Sequence, residues 1–343
     1  RYLRFLFIIM KQTRISNFQL AKKFKSPFLR EVFENLFDND EVKMLVFNFP
    51  MASFDNRSAG YPIGGSLKWA QRIADNFESL GGKIHYNTPV KKIIVEENTV
   101  KALLVRNNVM HDCDIVLSSA DWYKTVFEYL EGNYVNEKIV ALKEEKSFEI
   151  YYSILLVTFG LKKDYKEYPH FSRFPIEKHL QSPCGKTWDR LETHFYHYDP
   201  TLAPAGKTVM ACSFYTKNGK YWIDLRKNDR KKYRIEKQKF IDDLIEILEQ
   251  KYPGIKDDIE MVDFATPATV LNNWQGSAQG WLPGENVLAA TPVKFKLPNL
   301  QNFYYASHWS RPGGGIPVAI NMARDVAKII CKENDTIFKT KQH

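Results

Sequence analysis

The chain is expected to fold as a mixed α/β protein built from two interleaved modules, and three stretches predict it. The first, 64-GGSLKWAQRIADNFESLGG-82, reads as a helix bounded by glycines and followed by short strand-like runs. The second lies between residues 150 and 270, where long aromatic runs alternate with a single strongly helical segment. The third, 302-NFYYASHWSRPGGGIPVAINMARDVAKII-330, reads as strand, glycine-rich loop and helix.

Taken in order, residues 1–59 look helical. Leu20, Phe24, Phe28, Val32 and Leu36 recur at helical spacing, with a break at Pro27. In the next segment Ser66 is a good N-cap after Gly64 and Gly65. Leu67, Ala70, Ile73, Ala74, Phe77 and Leu80 form one face, and Gly81 and Gly82 end the helix. Short strands are expected at Lys83–Tyr86, Val90–Val95, Val100–Val105 and Ile115–Ser119, with a turn at 96-EEN-98. Beyond residue 122 the runs 150–161, 191–198 and 207–215 read as strands of a mixed sheet. A helix near 233–251 interrupts them, and 258–270 returns to strand character. In the closing segment Pro317 suits a first helical turn. Val318, Met322, Val326 and Ile329 then mark one apolar face, edged by Ala319, Ala323 and Ala327. Three glycines before a helix allow backbone to approach a ligand closely, and free N–H groups at the helix start favour negative charge there. A plain turn before a packing helix would use the same residues.

Bulk composition narrows the function. The 343 residues, 44% hydrophobic and 26% charged, are ordinary for a folded chain of two domains. Aromatic residues make up 14%, which suits either a pocket for a large apolar ligand or a Phe- and Tyr-rich core. The net charge of +9 suggests an anionic partner. Its densest basic run, 226-RKNDRKKYRIEKQK-239, opens a helix with Ile235, Phe240, Ile241, Leu244 and Leu248 as its apolar face. A solvated helix face is the ordinary use of such a run, and peripheral contact with a membrane surface is the other. No nucleic-acid-binding motif is present. Cys113, Cys184, Cys212 and Cys331 show no metal-type spacing and are expected to be reduced thiols of a cytoplasmic protein. The run 5-FLFIIM-10 is too short to span a bilayer and lacks a small-residue cleavage site. No Ser-His-Asp set, carboxylate pair or metal cluster is legible.

Four motifs in order carry a family likeness: 60-GYPIGGSLKWAQRIADNFESLGGKIHYNTPVKKI-93, 117-LSSAD-121, 266-TPATVLNNWQGSAQGW-281 and 311-RPGGGIPVAINMARDVAKII-330. Together they resemble the phytoene-desaturase-like branch of the flavin-dependent amine-oxidase-type oxidoreductases, over nearly the whole chain. The resemblance implies a FAD/NAD(P)-binding-type cofactor domain assembled from separate segments, with a mixed-sheet and helical substrate domain inserted. Residues 60–121 and 301–335 would be cofactor-side segments. Residues 1–59 would be a helical part of the substrate domain, 122–300 its main part, and 336–343 a tail. It further implies that the Val90 backbone meets the adenine end of FAD. Gly313, Gly314, Gly315, Ile316 and Pro317 would face the flavin ring. His308, Trp309 and Arg311 adjoin that turn. Trp274, Gln275, Gln279 and Trp281 would wall a substrate pocket, with Gly276 and Gly280 giving it room.

Two departures from the family stand out. The G-x-G-x-x-G turn that binds pyrophosphate is absent. Because the first residue is Arg1, the expectation is a chain lacking an N-terminal portion, with FAD bound weakly or not at all. Ser307 also stands where relatives usually carry glycine. The implied activity is hydride transfer between flavin and an apolar, isoprenoid-like substrate, as desaturase, saturase or isomerase. A non-catalytic lipid-binding protein of the same fold, like the GDP-dissociation inhibitors of small GTPases, and an inactive fragment are the alternatives.

Overall fold

The computed structural model describes residues 10–12, 14–36, 43–143, 153–274, 295–307 and 315–340. Among these the chain divides into two compact units after Trp69. The first contains α1 (Asn17–Ala21), α2 (Pro27–Glu34) and α3 (Met44–Asp55). Ser16 opens α1 with a reciprocal capping box to Gln19, and Ser26 caps α2 with Pro27 in its first turn. The expected break before Pro27 is therefore present. Phe24 stacks on Phe33, and Phe33 meets Phe47 edge-on.

Helix α4 (Gly65–Ser79) begins one residue ahead of Ser66, which lies in its first turn rather than at the N-cap position. Its end is as expected. Gly81 adopts φ +90°, and Gly82 N–H donates to the Phe77 carbonyl, closing the last turn. The predicted apolar face is there but uncovered: α4 has no buried residue, and Leu67 is 81% exposed.

A three-stranded antiparallel meander follows, β1 (Val90–Glu96), β2 (Thr99–Val105) and β3 (Met110–Asp112). Glu97 and Asn98 both have positive φ, the geometry of a tight two-residue hairpin. The strand expected at 83–86 does not form; that stretch is loop, and β3 takes the third place in the sheet. Strand β4 (Val116–Ser118) instead pairs in parallel with β10 (Phe303–Tyr305). A π-helical turn (Lys124–Tyr129) and α5 (Glu137–Lys143) come after β4. One core joins Ile93, Val100, Trp122, Val126, Ile139, Leu300 and Phe303. The boundary expected at 121/122 is not marked by a break in this core.

The remaining sheet has the order β6-β7-β8-β5-β9, formed by β5 (Ser153–Leu161), β6 (Phe171–Gln181), β7 (Thr187–Phe195), β8 (Thr208–Thr216) and β9 (Ile259–Ala265). It was expected to be mixed, yet every pairing in it is antiparallel. Interior strand β5 alternates strictly between buried and half-buried residues, placing Leu155, Val157, Phe159 and Leu161 inward. The sequence showed no signal for β6, because its polar residues break the alternation and Pro175 interrupts it. A bulge between Pro175 and Leu180 absorbs the irregularity.

Helices α6 (Gly219–Asn228) and α7 (Arg230–Lys251) precede the short α8 (Ile255–Asp258). The inward face of α7 is Tyr233, Phe240, Leu244, Ile247 and Leu248. Ile235, expected on that face, is 57% exposed. The strand expected through residue 270 stops at Ala265, where Thr266 and Pro267 turn the chain into α9 (Pro267–Trp274). Ring-to-ring contacts join Tyr165, Phe195 and Tyr252 in one set and Trp188, Phe214, Phe240 and Phe264 in another. These described rings fill a core. No helix among the described residues is long and apolar enough to cross a membrane.

Candidate functional site

The β4–β10 pair brings together two of the sequence motifs. Because the strands run parallel, the stretches that follow them, 119–121 and 306 onward, leave the same end of the sheet. In α/β proteins that carboxyl end is where ligands bind. Val116 N–H donates to the Asn302 carbonyl at 2.9 Å, and Ala306 N–H to the Ser118 carbonyl at 2.9 Å. Phe303 and Tyr305 are fully buried, so the pair is anchored from below by aromatic side chains.

Tyr305 then tightens the edge. Its hydroxyl donates to the Ala120 carbonyl at 3.1 Å. Its single proton is used there. Burial pushes the Tyr305 phenol far up; the Ser307 hydroxyl works against that and the charge of Asp121 adds to it. The phenol therefore stays neutral. Ser307 is itself buried. On the β4 side, the hydroxyls of Ser118 and Thr125 lie 2.8 Å apart, and Asp121 Oδ1 accepts from the Tyr123 and Lys124 N–H groups. The sequence singled out 117-LSSAD-121 but gave no sign of the Tyr305–Ala120 bond, which joins residues remote in the chain.

Helix α10 (Gly315–Glu333) starts beyond this edge. Met322 and Val326 are fully buried, and Val326 packs against Tyr304 and Ala306 of the β10 segment. The expected face is thus the packing face, with Val318 and Ile329 half-buried beside it. The far end of α10 is fastened by Glu333, which accepts from Tyr304 Oη at 2.5 Å and Lys296 Nζ at 2.6 Å. Burial, then the Glu333 bond and charge, push the Tyr304 phenol up to about 12. Lys296 and Tyr304 in turn hold the Glu333 carboxyl below its ordinary range.

The site residues expected from the sequence distribute as follows. Val90 is the first residue of β1, half-buried and paired with Val105. Gly315 is the first residue of α10; Ile316 and Pro317 lie in its first turn with exposed side chains. Trp274 ends α9. His308, Trp309, Arg311, Gly313 and Gly314 lie outside the described residues, as do Gln275, Gly276, Gln279, Gly280 and Trp281.

Known proteins resemble this chain in sequence and fold. The profile of the flavin containing amine oxidoreductases matches residues 19–331. A phytoene desaturase (lycopene-forming) from Pseudescherichia vulneris is 25% identical over 297 residues, which are 80% of this chain and 56% of the relative. A prolycopene isomerase from an Oncidium hybrid cultivar is 27% identical over 266 residues, 73% of this chain and 43% of the relative. The chain thus spans about half the length of the curated relatives it matches. The crystal structure of an oxidoreductase from Methanosarcina mazei superposes with a TM-score of 0.59 at 16% identity, covering 95% of this chain and 72% of that one. That likeness establishes the fold. With the profile matched across most of its length, the chain belongs to the flavin containing amine oxidoreductase family.

Proposed function

We propose that the protein is a FAD-dependent oxidoreductase that desaturates, saturates or isomerises an apolar, isoprenoid-like substrate. The observation that carries this reading is the parallel pairing that brings 117-LSSAD-121 and the strand 303–305 to one carboxyl edge, with α10 packed against that strand, in a chain of a flavin-containing family. The carotenoid enzymes among its relatives support the substrate class.

The residues present fit part of a FAD. A helix opening with Gly315 offers unpaired N–H groups to an electron-rich ring edge. Gly313 and Gly314 would allow close approach, and the Val90 backbone would take the adenine end. The pyrophosphate is not provided for, since the sequence contains no G-x-G-x-x-G turn. Bound flavin would supply a two-electron donor or acceptor for a hydride at a carbon–carbon bond. The chain's own part is to hold the strand edge rigid through the Tyr305 phenol, which stays neutral and donates a hydrogen bond to the Ala120 carbonyl. His308, Arg311 and Trp274 are the proposed substrate-side residues. The substrate would be an apolar small molecule, and no nucleic acid takes part.

Purified chain incubated with FAD is expected to retain flavin at well below one equivalent, and Gly314→Val is expected to remove that remainder without lowering the melting temperature. Tight stoichiometric retention would overturn the reading of the pyrophosphate site. For the substrate, anaerobic flavin reduction with carotenoid precursors, retinoids and small amines is decisive. Reduction by charged amines alone would sink the proposal.

A further inference from the structure

We propose that the cleft between α6, the start of α7 and α9 is a docking site for the anionic headgroups of a lipid bilayer. The first ground is charge. From Lys217 to Lys239 there are ten Lys and Arg against three Asp and Glu, a local +7 within a chain whose total is +9. Basic residues look spread out along the chain, but the net excess sits almost wholly on this ledge. Little of it is neutralised. Lys220 pairs with Asp224, and Lys237 is turned to the Phe264 carbonyl. Lys227, Arg230, Lys231, Lys232 and Arg234 are exposed and form no salt bridge among the described residues.

The second ground is a cavity of about 490 Å³ beneath the ledge, lined by Arg226, Lys227 and Arg230 together with Ile223, Ala268 and Leu271. Arg226 Nη1 donates to the Ala268 carbonyl at 2.8 Å, tying α6 to α9 and fixing the floor. The third ground is Ile235. It is 57% exposed on a helix whose other large apolar residues turn inward, and Lys231, Lys232 and Lys239 lie one turn away on the same face. An exposed aliphatic tip among cations on α7, and a cavity with both cationic and aliphatic walls, suit the headgroup layer of an anionic bilayer. A nucleic acid would be served by aromatic stacking surfaces, whereas Trp222 and Tyr233 of this segment are buried.

Co-sedimentation with phosphatidylcholine vesicles, with and without phosphatidylglycerol, tests the proposal in the absence of flavin or substrate, so its outcome is independent of the enzymatic reading. Binding is expected to require phosphatidylglycerol and to fall with salt. Lys227→Ala with Arg230→Ala is expected to weaken it roughly fivefold per charge removed. Leu271→Asp is expected to weaken it with all lysines and arginines retained. Lys68→Ala with Lys101→Ala, which removes equal charge elsewhere, should change it little. Melting temperatures report whether each variant is folded. Equal binding to pure phosphatidylcholine, or an equal loss in the Lys68/Lys101 variant, would overturn the site. Stabilisation by inorganic phosphate without vesicle binding would make it a small-anion site instead. Single-stranded RNA displacing the vesicles would make it a nucleic-acid surface.

Discussion

The five-stranded sheet and the α4–β4–β10–α10 region contain equally regular apolar patterns, yet they use them differently. In the sheet, nearly every apolar position that the alternation marks as inward is covered, by α6 and α7 on one side and by aromatic neighbours within the layer. In the other region α10 buries Met322 and Val326 but leaves Ile316 and Ile320 half-exposed, and α4 buries nothing. An amphipathic pattern therefore says which face is apolar. It does not say whether anything lies against it, and only covered area contributes to stability.

The largest test of that difference is within the aromatic core. Phe214 contacts Trp188 and Phe240 and is 1% exposed, so Phe214→Ala should cost about 3–5 kcal/mol in urea unfolding. A loss below about 1 kcal/mol would mean the sheet is no better packed than α4.

Next comes Asp258, which closes the open end of the same sheet. It accepts from Tyr165 Oη at 2.9 Å and pairs with Lys163 at 2.8 Å and Lys162 at 3.4 Å. Burial works against its ionisation, but the bonds from Lys163, Tyr165 and Lys162 outweigh it and hold the carboxyl below the ordinary range. The folded value is the lower one. The stability it gives is therefore present above the unfolded carboxylate value of about 4 and is lost as pH falls through the folded value. Wild type should exceed Asp258→Asn in stability at neutral pH and converge with it in acid. A gap that stays constant down to strong acid would remove the charge from the explanation.

Smaller effects are expected in the thinner region. Met322→Ala on the covered face of α10 should cost about 2 kcal/mol, at the low end for such truncations, because the surroundings are open enough to relax. At Gly81, with φ +90°, any Cβ is strained, and Gly81→Ala should cost about 1 kcal/mol. Leu67→Ala, at 81% exposure, should change stability by no more than about 0.5 kcal/mol. If Leu67→Ala costs as much as Met322→Ala, the face of α4 is covered in solution and the contrast between the two regions disappears.

Much of the fold was legible before the structure. The break at Pro27, the glycine end of α4, the hairpin at 96–99, the interior strand β5 and the face of α10 all follow from interactions within a few residues. Those interactions are set by backbone sterics and side-chain period alone. The failures share a cause. The stretch 83–86 has strand-like residues but no neighbour to pair with, whereas β3 and β6 have weak patterns but complete a ladder. Ile235 fits the helical period of α7, yet the helix is rotated so that Tyr233 and Ile247 take the inward places. For the site, the sequence supplied the two motifs as separate strings, Ser118–Asp121 and the glycine turn before α10. The meeting of Ser118–Asp121 with the strand that leads toward that turn, with Tyr305 bonded to Ala120, depends on the parallel pairing of β4 with β10. Such long-range pairing is decided by which surfaces can be buried together, a property of the whole chain that no local window of sequence contains.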